Sequence, residues 1–235
     1  KCVECGQCAK VCPFSAIVNR KRPCQMACKV KAISINEDNA ASIDDDKCIQ
    51  CGACVYQCPF GAITDKSYIL DVIDLIKNSD NNRKYKVYAM VAPSISSQFT
   101  YAKLGQVITG LKELGFYTVL EAALGADMVA QAESKELAEK GTLTSSCCPA
   151  FVNMIQKHYP TLIDAVSETV SPMCAVSRML KALDPEVKTV FIGPCIAKKS
   201  EVNSHKIEGN ADYALTFGEI RAIIRAKGLT LKPEP

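Results

Sequence analysis

From residue 67 onward the chain alternates short apolar runs with amphipathic stretches, and that alternation predicts an ordered series of elements. Residues 68–76 carry apolar side chains at spacings of three and four and read as an amphipathic helix. The polar run 78–82 interrupts this pattern and reads as a linker. Beyond it, strands are predicted at 87–92, 116–120, 189–192 and 213–216, with a further short strand ending near Thr144. Helices are predicted at 101–114, 126–140, 151–158, 175–183 and 220–226. Strands interleaved with helices imply a parallel or mixed sheet covered on both faces, an α/β domain. Such sheets hold ligands beyond the carboxyl ends of their strands. Cys147-Cys148 and Cys195 each follow a predicted strand end, which suits them to one crevice.

Residues 1–66 lack this periodicity, and composition says what replaces it. Of fourteen cysteines, ten fall within residues 2–58 and four are scattered through the remaining 177. A disulfide scaffold would not stop abruptly before a low-cysteine half rich in Ala, Val, Ile and Leu. Clustered cysteines point instead to metal ligands in a reducing compartment, with a cytoplasmic location as the expectation. Net charge is only +3, which makes no electrostatic case for nucleic acid. The basic run Asn19-Arg20-Lys21-Arg22 reads as a solvated loop between cysteine motifs. No apolar run approaches the ~18 residues of a membrane span. The chain starts at Lys1, with Cys2 already a ligand candidate, so a longer natural chain is expected. The organisation expected is a cysteine-rich module over 1–66, a connecting helix and linker over 67–82, and the α/β domain over 83–235. The fold class is thus α+β multidomain.

The cysteine spacing is specific. Cys2-x2-Cys5-x2-Cys8-x3-Cys12-Pro13 and Cys48-x2-Cys51-x2-Cys54-x3-Cys58-Pro59 are two copies of the bacterial ferredoxin run, a 4Fe–4S signature. Three closely spaced thiolates wrap one cubane, and the fourth cysteine is directed to the other cluster. Gly6 and Gly52 let each loop curl around sulfide. A zinc site wants two Cys-x2-Cys pairs about 15–20 residues apart, which this pattern does not provide. Cys24-x3-Cys28 complicates the assignment, because Cys12, Cys28 and Cys58 open the related phrases CPFSAI, CKVKAI and CPFGAI. Cys28 stands twenty residues before Cys48, across a hairpin-like segment at 32–44, the separation two-cluster ferredoxins use. Cys28 is therefore expected, ahead of Cys12, to complete the cluster on Cys48, Cys51 and Cys54. Cys58 would complete the one on Cys2, Cys5 and Cys8. Cys12 and Cys24 are left over. Either they are ligands too, with a third cluster or an upstream segment involved, or Cys24 is a structural thiol.

Three segments of the second unit carry a family resemblance: Val91-Ala92-Pro93-Ser94-Ile95, Thr144-Ser145-Ser146-Cys147-Cys148-Pro149-Ala150-Phe151, and Gly193-Pro194-Cys195-Ile196-Ala197-Lys198-Lys199-Ser200-Glu201. In order and spacing, with Gly125-Ala126-Asp127 and Ser171-Pro172-Met173 between them, they resemble the catalytic domain of the FeFe-hydrogenase large subunit, whose signatures read TSCCPxW and MPCxxKxxE. The resemblance implies an H-cluster, a 4Fe–4S cubane joined to a di-iron site with CO, cyanide and azadithiolate. It implies Cys148 and Cys195 as two cubane ligands and Cys147 as a proton-passing thiol. Glu133, Ser167 and Glu136 match the family's proton path. Pro93, Ser94 and Lys198 match groups lining the di-iron site, where Ser94 and Lys198 would hydrogen-bond cyanide. The activity implied is reversible reduction of protons to H2, with electrons supplied through the 4Fe–4S clusters. The implied partner is ferredoxin or an electron-transfer subunit. A hydrogen-sensing member, or an electron-transfer protein without hydrogenase activity, are the alternatives.

Two departures qualify this. The family's third signature, ExMACxxGCxxGGGP, supplies two more cubane ligands and is absent, so the chain is expected to be a fragment inactive alone, completed by a further segment or chain. Gly193 stands for the usual Met and Phe151 for the usual Trp, which suggests a non-standard subgroup. Read without the family, Glu133 and Glu136 share a helix with Lys135, Glu139 and Lys140 and form a solvated face. Cys174 reads as a buried thiol, and His158 and His205 as lone histidines without a ligand role.

Overall fold

A computed structural model describes residues 6–17, 21–204 and 207–231. Cys2, Cys5, His205 and part of the basic run lie outside them. The chain divides into two compact units, 1–48 with 53–64, and 49–52 with 65–235.

The first unit is made of small pieces. Helices α1 (Gln7–Val11) and α2 (Pro23–Ala27) precede a two-stranded antiparallel hairpin, β1 (Ile33–Ile35) with β2 (Ala41–Ile43), and helix α3 (Ala53–Tyr56) follows. The hairpin lies within the segment that reads as hairpin-like. Asn39 turns it in the left-handed region, and Asn36 closes it by accepting the Ala40 amide at 2.7 Å. The Arg22 guanidinium ties that turn to the start of α2 through the Asn39 carbonyl (3.0 Å) and side-chain oxygen (2.8 Å).

The second unit is built on four parallel strands, β3 (Val87–Val91), β4 (Thr118–Glu121), β5 (Lys188–Gly193) and β6 (Tyr213–Thr216), in spatial order β4-β3-β5-β6. Consecutive residues of β3 and β5, among them Ala89-Met90-Val91 and Val190-Phe191-Ile192, are buried, as expected of a parallel sheet covered on both faces. Among the described residues, eight α-helices accompany the strands: α4 (Ile69–Asn78), α5 (Ile95–Gln98), α6 (Leu104–Leu114), α7 (Ala123–Lys140), α8 (Pro149–His158), α9 (Pro172–Leu183), α10 (Ala197–Val202) and α11 (Phe217–Ala226). Their ends follow local chemistry. Thr216 and Glu219 form a reciprocal capping box at the start of α11, with Ser171 and Pro172 opening α9. Helices α7 and α9 meet where Gly125 lies; a Cβ there would run into the Pro172 carbonyl.

The chain visits β3, then β4, then crosses back over β3 to β5, so the order reverses between β3 and β5. Beyond the carboxyl ends of these two strands lies the crevice where doubly wound sheets hold ligands. Pro93-Ser94 leaves one strand and Pro194-Cys195 the other.

Three sequence expectations change. The run 78–82 is a break but not a loose linker: Ser79 is fully buried, Asn82 donates to Gly115 O at 3.0 Å, and its side-chain oxygen accepts the Val87 amide at 2.9 Å. Helix α4 accordingly belongs to the second unit, with Tyr68 and Val72 in its core. The strand near Thr144 is one isolated parallel bridge to Val166. Helices α5 and α10, of four and six residues, are too short to show a helical period in the sequence.

Candidate functional site

The loop carrying Cys147 ends in helix α8, which Cys148 caps and Pro149 opens; both cysteines are exposed. Cys195 is half-buried in the turn between β5 and α10, and α8 packs against α10. One side chain ties the two cysteine segments together. Lys198 Nζ donates to the Cys147 carbonyl at 2.9 Å and pairs with Glu201 at 2.6 Å, with 11% of its side chain exposed. Glu201 accepts the Ser171 hydroxyl at 2.5 Å, which fastens the α9 cap to the same knot. Ser171 thus has a role that the motif match did not assign. Cys174, one turn into α9, is fully buried, and burial pushes its thiol pKa up, as suits a structural cysteine. Ser94 is exposed at the end of β3, beside Pro93.

The candidate proton path has its own geometry. Ser167 Oγ donates to Glu136 Oε2 at 2.7 Å, and the Glu168 amide donates to Glu136 Oε1 at 3.0 Å. Lys140, one turn along α7, pairs with Glu136 at 2.8 Å and with Glu168 at 2.8 Å. The Lys140 ammonium, then the Glu168 amide and the Ser167 hydroxyl, hold the Glu136 carboxyl down at about 2. One oxygen of Glu133, a turn earlier, is buried and meets no hydrogen-bond partner among the described residues. The two glutamates are therefore not a uniformly solvated face. Ser167 also reaches the cysteine loop, since its amide donates to Thr144 O at 2.8 Å and Ser146 Oγ donates to Thr169 O. The sequence sets Lys140 on a solvated face with the glutamates; its position four residues after Glu136 is the spacing of the helical ion pair the structure shows.

Gly193 ends β5 and is buried. A Cβ there would enter the ring of Phe191, which lies on the same strand face two residues earlier. The Phe191 ring fills the space that a side chain at position 193 would take. No sequence motif points to Phe191; only strand register does.

In the first unit the repeated phrases become a repeated turn. Backbone amides hold the thiol of Cys12 below its ordinary pKa, that of Ala16 foremost and then Phe14; for Cys58 they are those of Phe60, Ile63 and Ala62. The Ala62 amide lies 3.2 Å from Cys58 Sγ, and the Ala32 amide 3.2 Å from Cys28 Sγ. Amides aimed at sulfur favour thiolate and are among the levers that set iron–sulfur potentials. Gly6 and Gly52 both take the left-handed region, at φ 71° and 77°. Among the described residues no three His, Cys, Asp or Glu side chains converge as one metal-binding group. The soft thiol donors and aimed amides nevertheless fit an iron–sulfur cluster and not a hard cation. Cys148 and Cys195 offer the second unit two thiols of the same kind, on segments that Lys198 ties together through the Cys147 carbonyl.

A doubly wound α/β domain with Cys195 at its switch point, tied by Lys198 to the loop of Cys147 and Cys148 and preceded in sequence by a ferredoxin-type module, defines an iron–sulfur protein. The model of the iron-only hydrogenase large subunit, C-terminal domain, matches residues 85–235, and that of the 4Fe-4S binding domain matches residues 1–18 and 41–64. The chain belongs to the iron-only hydrogenase large-subunit family. It is 29% identical to Iron hydrogenase 1 of Clostridium pasteurianum over 96% of this chain and 42% of that protein. It is also 29% identical to the cytosolic Fe-S cluster assembly factor NAR1 of Eremothecium gossypii, over 52% of this chain and 29% of that one. Apo FeFe-hydrogenase HydA1 from Chlamydomonas reinhardtii superposes with a TM-score of 0.63 at 25% identity, over 72% of this chain and 50% of that one. The chain spans less than half the length of the hydrogenase relatives it matches.

Proposed function

We propose that this chain is the electron-input module and the first part of the catalytic domain of a reversible hydrogenase, 2H⁺ + 2e⁻ ⇌ H2. The observation that carries the reading is the Ser167–Glu136 hydrogen bond of 2.7 Å, which joins the glutamates of α7 to a residue whose amide also holds Thr144, at the start of the loop bearing Cys147 and Cys148. When bound, the H-cluster supplies the redox centre at which protons and electrons combine. Cys148 and Cys195 contribute thiolates to it. Cys147 holds and passes the proton nearest the reacting site, and Glu133, Ser167 and Glu136 carry it on toward solvent. Glu136, ionised at neutral pH, keeps the Ser167 hydroxyl oriented by accepting from it, while the Thr169 amide donates to the same hydroxyl oxygen at 3.1 Å. Lys198 fixes the Cys147 carbonyl and brings positive charge to a site suited to anionic ligands. Ser94 and Pro93 close the β3 side. Electrons enter through the 4Fe–4S module from a ferredoxin or an electron-transfer subunit.

The test is the full-length parent with its di-iron site installed. Hydrogen evolution and infrared bands of CO and cyanide are expected, and Glu136→Gln should cut turnover by roughly 10²-fold or more with those bands retained. A matured parent showing neither bands nor hydrogen would sink the proposal. A cluster-carrying or electron-transfer role without hydrogenase activity is the second reading, favoured by similarity to the cluster assembly factor over half the chain. It predicts clusters in the first unit and no infrared bands.

A further inference from the structure

The matches to the 4Fe-4S domain leave residues 19–40 out, yet these residues contain a third copy of the ligand turn. Cys8, Cys24 and Cys54 each occupy the second position of a short helix, α1, α2 and α3. Four residues on stand Cys12, Cys28 and Cys58. The amide three residues further donates to the cysteine carbonyl in every copy: Ser15 to Cys12 at 3.3 Å, Lys31 to Cys28 at 3.2 Å, Gly61 to Cys58 at 3.4 Å. Those three donors all take the left-handed region, at φ 48°, 53° and 61°. Serine and lysine rarely adopt it, yet two of the copies carry it, while the third has Gly61 there at no steric cost. The next amide, of Ala16, Ala32 or Ala62, is aimed at the cysteine sulfur. Cys12 and Cys28 even share backbone angles, φ −72°, ψ 110° and φ −77°, ψ 100°.

Within the first unit, Cys24 and Cys58 line one cavity of about 780 Å³. Its lining is mostly apolar, Met26, Pro59, Phe60 and Ile63 included, with Asn39, Lys21 and Arg22 as its polar members and no carboxylate or imidazole among the described residues. Two thiols in a mostly apolar cradle with two cationic side chains suit a soft, anionic cluster, and nothing there suits a hard cation. Cys24, only 6% exposed, has the place in α2 that Cys8 and Cys54 have in their helices.

We propose that Cys24 is an iron–sulfur ligand, sharing with Cys58 a cluster seated in this cavity. The proposal rests on the iron–sulfur reading of the module and is independent of hydrogenase activity. On binding iron the Cys24 thiol gives up its proton, so assembly releases protons.

The experiment loads the 235-residue chain anaerobically with iron and sulfide and counts both, with electron paramagnetic resonance of the reduced protein. Wild type is expected to hold about eight irons as two clusters. Cys24→Ala should lose one cluster, about four irons, and one of the two reduced signals. Cys24→Ser, which keeps an oxygen donor, should recover much of the iron but with that signal shifted. Cys174→Ser, in the buried site of the other unit, should change neither. Unchanged iron and unchanged signals in both Cys24 variants would overturn the proposal alone. Loss of both clusters together in Cys24→Ala and Cys24→Ser would show a packing role and overturn it as well. A wild-type chain that takes up no iron would overturn the iron–sulfur reading beneath it.

Discussion

The two units treat their apolar side chains in opposite ways. In the second, Val72, Met90, Leu111, Ile192 and Ile220 are all essentially fully buried around the parallel sheet. In the first, Phe14, Tyr56 and Phe60 are each more than 85% exposed, and the buried apolar residues among those described are Cys24, Ala32 and Ile33. A chain segment of that size without a core cannot offset the entropy of ordering its backbone. Cysteine–iron bonds can, because the unfolded chain has no preformed ligand set and the metal's binding free energy is then folding free energy. One unit is therefore a fold that holds chemistry, and the other is a fold held by it.

Removing iron should break the comparison most visibly. Chelation under reducing conditions is expected to strip amide protection from the first unit while β3 and β5 stay protected, read by hydrogen exchange. Simultaneous loss in both would show that the second unit leans on the first. The next effect in size is inside the second unit, where the Lys199 ammonium, 6% exposed, pairs with Asp65 at 2.6 Å and Glu219 at 2.8 Å. Lys199→Met leaves both carboxylates without their cation, and a loss of roughly 3 kcal/mol is expected, the low end for a buried pair because Asp65 is partly exposed. Thermal unfolding checks it.

A smaller change sharpens the view that the core reaches into the site. Gly193→Met should overpack against Phe191 and cost ~1–3 kcal/mol. Phe191→Ala combined with Gly193→Met should recover most of that, and additive costs in the double variant would refute direct crowding between the two positions. The smallest effect is electrostatic. Glu136 sits at about 2, below the ordinary carboxylate value, so its contribution is complete above about pH 5 and fades as the pH falls toward 2. Glu136→Gln should flatten that acid limb in a pH series of melting curves and leave stability near pH 7 slightly lower. An unchanged acid limb would mean that Lys140 and Ser167 do not favour the charged form.

Much of this was legible before any coordinates. The period of apolar residues located four strands and the longer helices of the second unit, because a buried face repeats along the chain. Ligand chemistry was legible in the first unit for the same reason, since cysteines that share a cubane must lie close in sequence within a loop. Short elements were not: α5, α10 and the bridge at Thr144 are too brief to show a period. The run 78–82 looked like a linker because its polar side chains reveal nothing about which backbone groups they satisfy.

What the sequence determined by itself was a cysteine-run module followed by an α/β domain, and which residues bear the motif chemistry. Tertiary structure decided who meets whom. It set Lys198 on the Cys147 carbonyl, Ser167 on Glu136, Phe191 in the space above Gly193, and Cys24 beside Cys58. Each of these pairs depends on strand order, register or helix packing, and such relations arise only when distant segments are brought together to bury apolar surface or to satisfy a ligand.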